Sequence, residues 1–234
     1  MTMIVSINQP GYLPWMGYFQ RIAASDLHIV LDHVQFEKNS FCNRNKVRTK
    51  EGSAWLTVPL STKGRFGDLA IHKLAFAPHT QWQNKHWTTL RMNYAKAPFF
   101  AAFSPPYERL YSETWPAFMP MLRAFLDQHL RDLGITTRLR YSSEMNPTGT
   151  KSDLVLNLCR EVNADAYLSG ALGRLYLDED SFANAGIEIR YQNYSHPTYS
   201  QCQPGFVPCL GVLDLIFNHG PGSRDILLSQ SVLS

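Results

Sequence analysis

Cysteine is scarce in this chain. Only Cys42, Cys159, Cys202 and Cys209 occur among 234 residues. They are too few and too scattered for a disulfide scaffold, and no C-x-x-C pair exists. Cys202 and Cys209 could meet His196 around a metal, but no fourth ligand is apparent, so no metal site is expected. Reduced, mostly buried thiols are the simpler expectation. Asn43, Arg44 and Lys46 could lower the pKa of Cys42, the one thiol with neighbours suited to a nucleophile.

Long apolar runs are missing as well. No stretch approaches the roughly 20 residues that a membrane-spanning helix requires. The opening MTMIVSINQP lacks the basic region, apolar core and cleavage site of a signal peptide. A cytoplasmic protein is expected. Charge of one sign is also lacking, with 22 basic against 19 acidic residues and a net charge of +3. That balance does not argue for nucleic acid, whose single strands want cations interleaved with aromatics along one groove. It mildly favours a small phosphorylated or carboxylated ligand. With 44% hydrophobic and 18% charged residues, the chain has the composition of a globular protein with a substantial core. Its length suits a single α/β domain over 1–234, with a helical insertion or subdomain over 78–134.

What is present is concentrated near the start. Ile4-Val5-Ser6-Ile7 reads as a buried strand. Asn8 to Trp15 is a loop fixed by Pro10, Gly11 and Pro14. Gly17 to Ser25 has helical spacing of Phe19, Ile22 and Ala23, and Leu27 to Leu31 reads as the next strand. This is a βαβ unit, in which a loop at the carboxyl end of a strand is the place for a ligand. The second strand runs into Asp32, His33, Gln35, Lys38, Asn39, Ser40, Asn43, Arg44, Asn45 and Lys46, interleaved with Val34, Phe36, Phe41 and Val47. Apolar anchors that hold polar heads at fixed positions predict a polar pocket floor. The first crossover and this basic ribbon are therefore expected to line one cavity.

The remainder alternates. Ala54 to Leu60 reads as a strand, and Ser61 to Asp68 as a basic loop, either a surface turn or a mobile anion clamp. Leu69 to Leu74 suggests a further strand. Thr80 to Tyr94 is predicted helical, carrying His86, whose imidazole suits proton transfer near neutral pH. Ser104 to Gly134 reads as the longest helical region, started by Pro105-Pro106 and interrupted at Pro116 and Pro120. Ile135 to Ser142 alternates as a strand. Thr148 to Ser152 then leads into a helix, where Thr150, Lys151 and Ser152 could cap the helix or hold an anion. Its glycine spacing is not that of a Walker loop. Ala166 to Ser169 is a strand ending at Ser169-Gly170, and Ala185 to Tyr191 is a returning strand. His196 sits before a proline in a restrained loop. Leu210 to Asn218 is a closing helix containing Asp214, and the residues from Gly220 on look poorly packed, with Ile226 to Leu228 able to dock.

Two long motifs carry a resemblance: Gln9-Pro10-Gly11-Tyr12-Leu13-Pro14-Trp15-x-Gly17-Tyr18-Phe19, and Leu31-Asp32-x-Val34-Gln35-Phe36-x-Lys38-x-Ser40-Phe41-x-Asn43-Arg44. With Trp55 to Pro59, Tyr167 to Gly170, His196-Pro197-x-Tyr199 and Leu213 to Gly220, the chain resembles the WbqC-like protein family. The resemblance implies a role in bacterial surface polysaccharide or O-antigen synthesis, beside enzymes that build modified sugars. It supplies no reaction and no catalytic residues.

The expected fold is α/β, a mainly parallel sheet with helices on both faces, nucleotidyltransferase- or Rossmann-like, with the helical insertion. The His pair of HIGH-type nucleotidyltransferases is missing, since Leu13-Pro14-Trp15-Met16 stands near its place; that part is fold-level analogy. Two functions are compatible. One is a transferase acting on an amino sugar or nucleotide sugar, possible by acyl or aminoacyl transfer. In it Arg44, Lys46 and the Thr150–Ser152 turn would meet phosphates, assisted by Lys38 and Arg21. Asp32 and Gln35 would orient the substrate, Trp15 and Tyr12 would stack on it, and His86 or His196 would move the proton. Gln9, Asn43 and Ser169 complete the expected binding set. The other is a non-catalytic scaffold for a neighbouring biosynthetic enzyme. No particular cofactor is indicated.

Overall fold

The computed structural model describes residues 2–62, 64 and 69–230. Strand β1 (Ile4–Asn8) leads through helix α1 (Met16–Ala23) to β2 (Leu27–Val30). A hairpin follows, β3 (Arg44–Thr49) and β4 (Gly52–Thr57). Three helices come next: α2 (Trp82–Tyr94), α3 (Phe100–Ser112) and α4 (Phe118–Asp132). The chain then alternates through β5 (Arg138–Tyr141), α5 (Lys151–Glu161), β6 (Ala166–Ser169), α6 (Glu179–Asn184) and β7 (Glu188–Tyr191). Helices α7 (Leu213–His219) and α8 (Ser223–Leu228) end it.

The expected α/β fold with a mainly parallel sheet is what forms. The five-stranded sheet has the order β5-β2-β1-β6-β7, and every neighbouring pair is parallel. The inner strands are short apolar runs buried on both faces, as parallel strands require. Alternation then assigns the faces. Val5, Ile7, Leu27 and Ile29 pack with Leu154 and Leu158 of α5 and Phe182 of α6. The opposite face carries a larger cluster that includes Val30 with Phe19 and Ile22 of α1, Leu122 and Phe125 of α4, and Phe217 of α7. Strands β2 and β5 are added on one side of β1, β6 and β7 on the other. The order therefore reverses between β1 and β6, which opens a crevice at their carboxyl ends.

Several local expectations change. The region from Ser104 to Gly134 forms two helices, and Pro105 and Pro106 lie inside α3 instead of starting it. Its start is moved back to Phe100, where the Phe99 N–H donates to the Phe217 carbonyl at 2.9 Å. Pro120 falls in the first turn of α4, where a missing N–H costs little. Leu69 to Leu74 gives a short 3-10 turn over Ile71–Lys73, because its N–H groups bond back to Val34 and Asp32. The end of the basic ribbon, Arg44 to Lys46, is a strand of the hairpin, not a loop. The tail after Gly220 is anchored by Leu227, which is fully buried. Lys63, Arg65 and Gly67 of the expected clamp lie outside the described residues. Among the described residues no helix is long and apolar enough to cross a membrane, and no cluster of His, Cys, Asp or Glu could hold a metal.

Candidate functional site at the sheet's switch point

The carboxyl ends of β1 and β6 supply Asn8 and Ser169 to a cavity of about 530 Å³. That volume is within the range of small-molecule sites. Trp15 enters from the loop after β1, Gly170 to Gly173 from the turn after β6, and Gln192, Asn193 and Tyr194 from the segment after β7. Arg21 of α1 reaches the same cavity although it lies in that helix's last turn. Side chains on a helix lean toward its N-terminus, and a long arginine covers the remaining distance.

Arg21 is the unusual group. It is only partly exposed, and its Nε is buried with no hydrogen-bond partner among the described residues. Among the described residues it makes no ion pair. The neutral hydroxyls of Tyr167, Tyr18 and Tyr176 lie near it, and burial pushes its pKa below the usual arginine value. An uncompensated buried cation costs several kcal/mol in general. The polar groups behind it are equally unfinished: Tyr18 OH and His28 Nε2 are buried without partners. His28 Nδ1 is 2.8 Å from Ser6 Oγ, and burial, aided by the Arg21 charge, pushes the imidazole down to about 3.

The rim is built firmly. Trp15 packs edge-on against Tyr194, ring centres 4.7 Å apart. Gln192 Nε2 donates to the Gly17 carbonyl at 2.9 Å and to Gln20 Oε1 at 2.8 Å, tying the end of β7 to α1. Gly170 has an ordinary extended backbone (φ −74°, ψ 164°), so no conformational strain demands glycine there. Space demands it: a methyl group would overlap Nη1 of Arg21. The substitution Gly170→Ala is therefore expected to displace the guanidinium, with little change in thermal midpoint. Affinity for any anion seated against Arg21 should weaken about tenfold, equivalent to roughly 1.4 kcal/mol. Calorimetry beside a melting curve checks this; unchanged affinity would dissociate Gly170 from the site.

The residues expected from sequence are distributed over three cavities. Trp15 and Ser169 line the switch-point cleft. Gln9 is exposed beside it, with no side-chain partner. Lys38, Asn43 and Arg44 line a smaller cavity of about 240 Å³. There Asn43 Nδ2 donates to the Val58 carbonyl at 2.8 Å, and Arg44 donates to Asn39 Oδ1 at 3.2 Å and to its carbonyl at 2.6 Å. Arg44 and Lys46 lie over the Trp55 ring at 4.5 and 5.1 Å. His86 lines a third cavity of about 500 Å³ with Lys85 and Thr57. Tyr12 does not face the cleft. Its hydroxyl is 2.8 Å from His86 Nδ1 and 2.5 Å from the Tyr111 hydroxyl, and burial pushes His86 down to about 4.

Others are held in structural bonds. Asp32 is fully buried: Oδ1 accepts from Ser142 Oγ and the Ser143 N–H, and Oδ2 from Ser143 Oγ. This joins the ends of β2 and β5. Gln35 Oε1 accepts from the Leu69 N–H at 3.2 Å. Asp32 and Gln35 therefore do not share a cavity with Arg44. His196 Nε2 accepts from the Cys209 N–H at 3.0 Å, and Nδ1 is 2.9 Å from the Pro197 carbonyl, which selects one neutral tautomer. Thr150 precedes α5 without a side-chain cap, Lys151 is exposed, and Ser152 Oγ accepts from the Asp178 N–H at 2.9 Å. Burial pushes the Cys42 thiol up to about 12, so it has no thiolate character at neutral pH.

Sequence reasoning gave Arg21 only an assisting role and missed Asn8, Tyr176, Gln192 and Asn193. The one available signal was the pair Ser169-Gly170 at a strand end. Nothing local ties it to Arg21.

Comparison with known proteins agrees with the motif reading. The uncharacterized protein Rv1507c of Mycobacterium tuberculosis is 36% identical over 225 residues, covering 95% of this chain and 96% of its own length. No solved structure matches the chain. The pattern of the WbqC-like protein family matches residues 9–226, a span that includes Trp15, Arg21, Ser169 and Gly170. The chain belongs to the WbqC-like protein family.

Proposed function

We propose that the switch-point cleft binds a phosphorylated sugar ligand, and that the chain is a cytoplasmic transferase of bacterial surface-polysaccharide (O-antigen) synthesis acting on an amino sugar or nucleotide sugar. The observation that carries this reading is the partly buried Arg21, its Nε unpaired among the described residues, at the crevice where the strand order reverses. A phosphate there would provide the missing counter-charge. Trp15, Tyr176 and Tyr194 offer aromatic surface to a sugar or base. In an acyl or aminoacyl transfer, the sugar amine attacks the donor's carbonyl carbon. The donor's leaving group departs with the bonding electrons and takes up the proton that the amine gives up, directly or through water.

One observation favours a second reading. None of the residues lining the cleft is His, Asp or Glu, and His86, His196 and Asp32 lie outside that lining. A binding or scaffold protein that presents the ligand to a neighbouring sugar-biosynthesis enzyme needs no proton acceptor there. Incubation with a nucleotide-linked amino sugar and an acyl coenzyme A, followed by mass spectrometry, separates the two. A mass increase by the acyl group supports the transferase, and tight binding without product supports the scaffold.

The cleft itself is tested by Arg21→Gln. Phosphate-ester affinity is expected to fall at least about thirtyfold, from the loss of roughly 2 kcal/mol or more. The unliganded protein should melt no lower than the parent, because an uncompensated buried charge has been removed. A large destabilisation with ligand affinity intact would make Arg21 a structural residue and end the proposal.

A further inference from the structure

The turn between β6 and α6 leaves its apolar side chains in solvent. Leu172 is 74% exposed, Leu175 80% and Tyr176 46%. Leu172 and Tyr176 line the cleft that contains Arg21. Residues Ala171–Leu175 form a 3-10 turn, in which positions three apart lie on the same side, so Leu175 extends the apolar strip begun by Leu172. The strip is held in place. Gly173 is buried, and a methyl group on it would overlap Ser169 Oγ. The N–H groups of Gly173, Tyr176 and Leu177 bond back to Gly170 and Gly173. Arg174 lies 3.8 Å over the Tyr191 ring.

We infer that the ligand of this cleft is a phosphate ester bearing an aliphatic chain, with its phosphate at Arg21 and its chain along Leu172, Leu175 and Tyr176. This rests on the reading of Arg21 as the phosphate site given above, and departs from it in the rest of the ligand, where an aliphatic chain takes the place of a nucleotide. Charge complementarity fixes the head group, since a cation without a counter-ion among the described residues stands at one end of the apolar strip. A nucleobase would find its stacking surface on Trp15 and Tyr194 and would leave the leucines bare. An anionic bilayer is disfavoured by exposed Asp178, Glu179 and Asp180 directly after the strip. A second copy of the chain would need on the order of 800 Å² per partner, more than one short turn supplies.

The test is calorimetry on the full chain with inorganic phosphate, decyl phosphate below its aggregation concentration, and UDP-N-acetylglucosamine. Decyl phosphate is expected to bind at least tenfold tighter than inorganic phosphate. The double variant Leu172→Ser with Leu175→Ser should lose that advantage and keep its affinity for inorganic phosphate. Equal affinity for the two phosphates, or an alkyl advantage that survives in the double variant, overturns the inference. So does a preference for the nucleotide sugar that is indifferent to the leucines. Arg21→Gln distinguishes the two levels. If it weakens phosphate binding while chain length has no effect, only the aliphatic inference fails. If it changes nothing, the cleft reading fails with it.

Discussion

Lowering the pH from 7 to 5 is expected to cost roughly 5 kcal/mol of folding stability, from three histidines at somewhat under 2 kcal/mol each. Burial pushes His28 and His129 down to about 3 and His86 to about 4. In the unfolded chain each takes a proton near pH 6.5. Below that value the unfolded state binds protons that the folded state refuses, so acid draws the chain toward unfolding. The contribution is intact above pH 6.5 and continues to fall until the folded-state values near 3 to 4 are reached. His129 shows why: it is fully buried among Phe19, Tyr107 and Phe125. The carboxyls of Asp127, Asp132 and Asp214 are raised by burial, gain protons earlier in the folded state and offset part of the loss at lower pH. The thermal midpoint should drop by roughly 10–20 °C between pH 7 and 5 for a chain of this size. Replacing His129 with Leu should recover about a third of the loss. A midpoint insensitive to pH over this interval would mean that the imidazoles reach water.

The second large effect is expected at Asp214. Its carboxylate is fully buried beneath the sheet's helical face. Oδ1 accepts from the Tyr94 hydroxyl at 2.9 Å, and Oδ2 accepts from Tyr199 at 2.9 Å and from Gln201 at 2.8 Å. Tyr94 also accepts the Arg48 N–H at 2.8 Å, so the network ties the hairpin to α2, α7 and the 199–207 segment. Asp214→Ala would strand the buried hydroxyls of Tyr94 and Tyr199, remove one acceptor of the part-buried Gln201 amide, and should cost about 3–5 kcal/mol. Asp214→Asn keeps the shape and one acceptor and should cost about half as much. Urea denaturation measures both. A loss below about 1 kcal/mol for the alanine variant would show that the donors find other acceptors.

The sequence made the first half of the cleft legible and hid the second. The apolar runs at Ile4 and Leu27 and the Pro-Gly loop between them are local signals, and they place a ligand loop after β1. Ser169-Gly170 is equally visible as a strand end. Their adjacency is not, because it depends on β6 pairing with β1 across the sheet. Arg21 was readable only as one basic residue in an amphipathic helix. Its isolation from carboxylates among the described residues is a tertiary fact. The polar run from Asp32 to Lys46 misled for a related reason. Spacing alone could not reveal that Asp32 would be claimed by Ser142 and Ser143, more than a hundred positions away, or that Arg44 onward would pair as a hairpin.

The position of β1 also governs the order of assembly. One edge of β1 is covered as soon as β2 emerges from the ribosome, but the other waits for β6, about 160 residues later. During that interval an apolar strand presents bare N–H and C=O groups, a template for wrong pairing between nascent chains. The switch-point cleft is thus among the last features to be completed during translation, and a truncated product ending before β6 retains the hazard without the cleft.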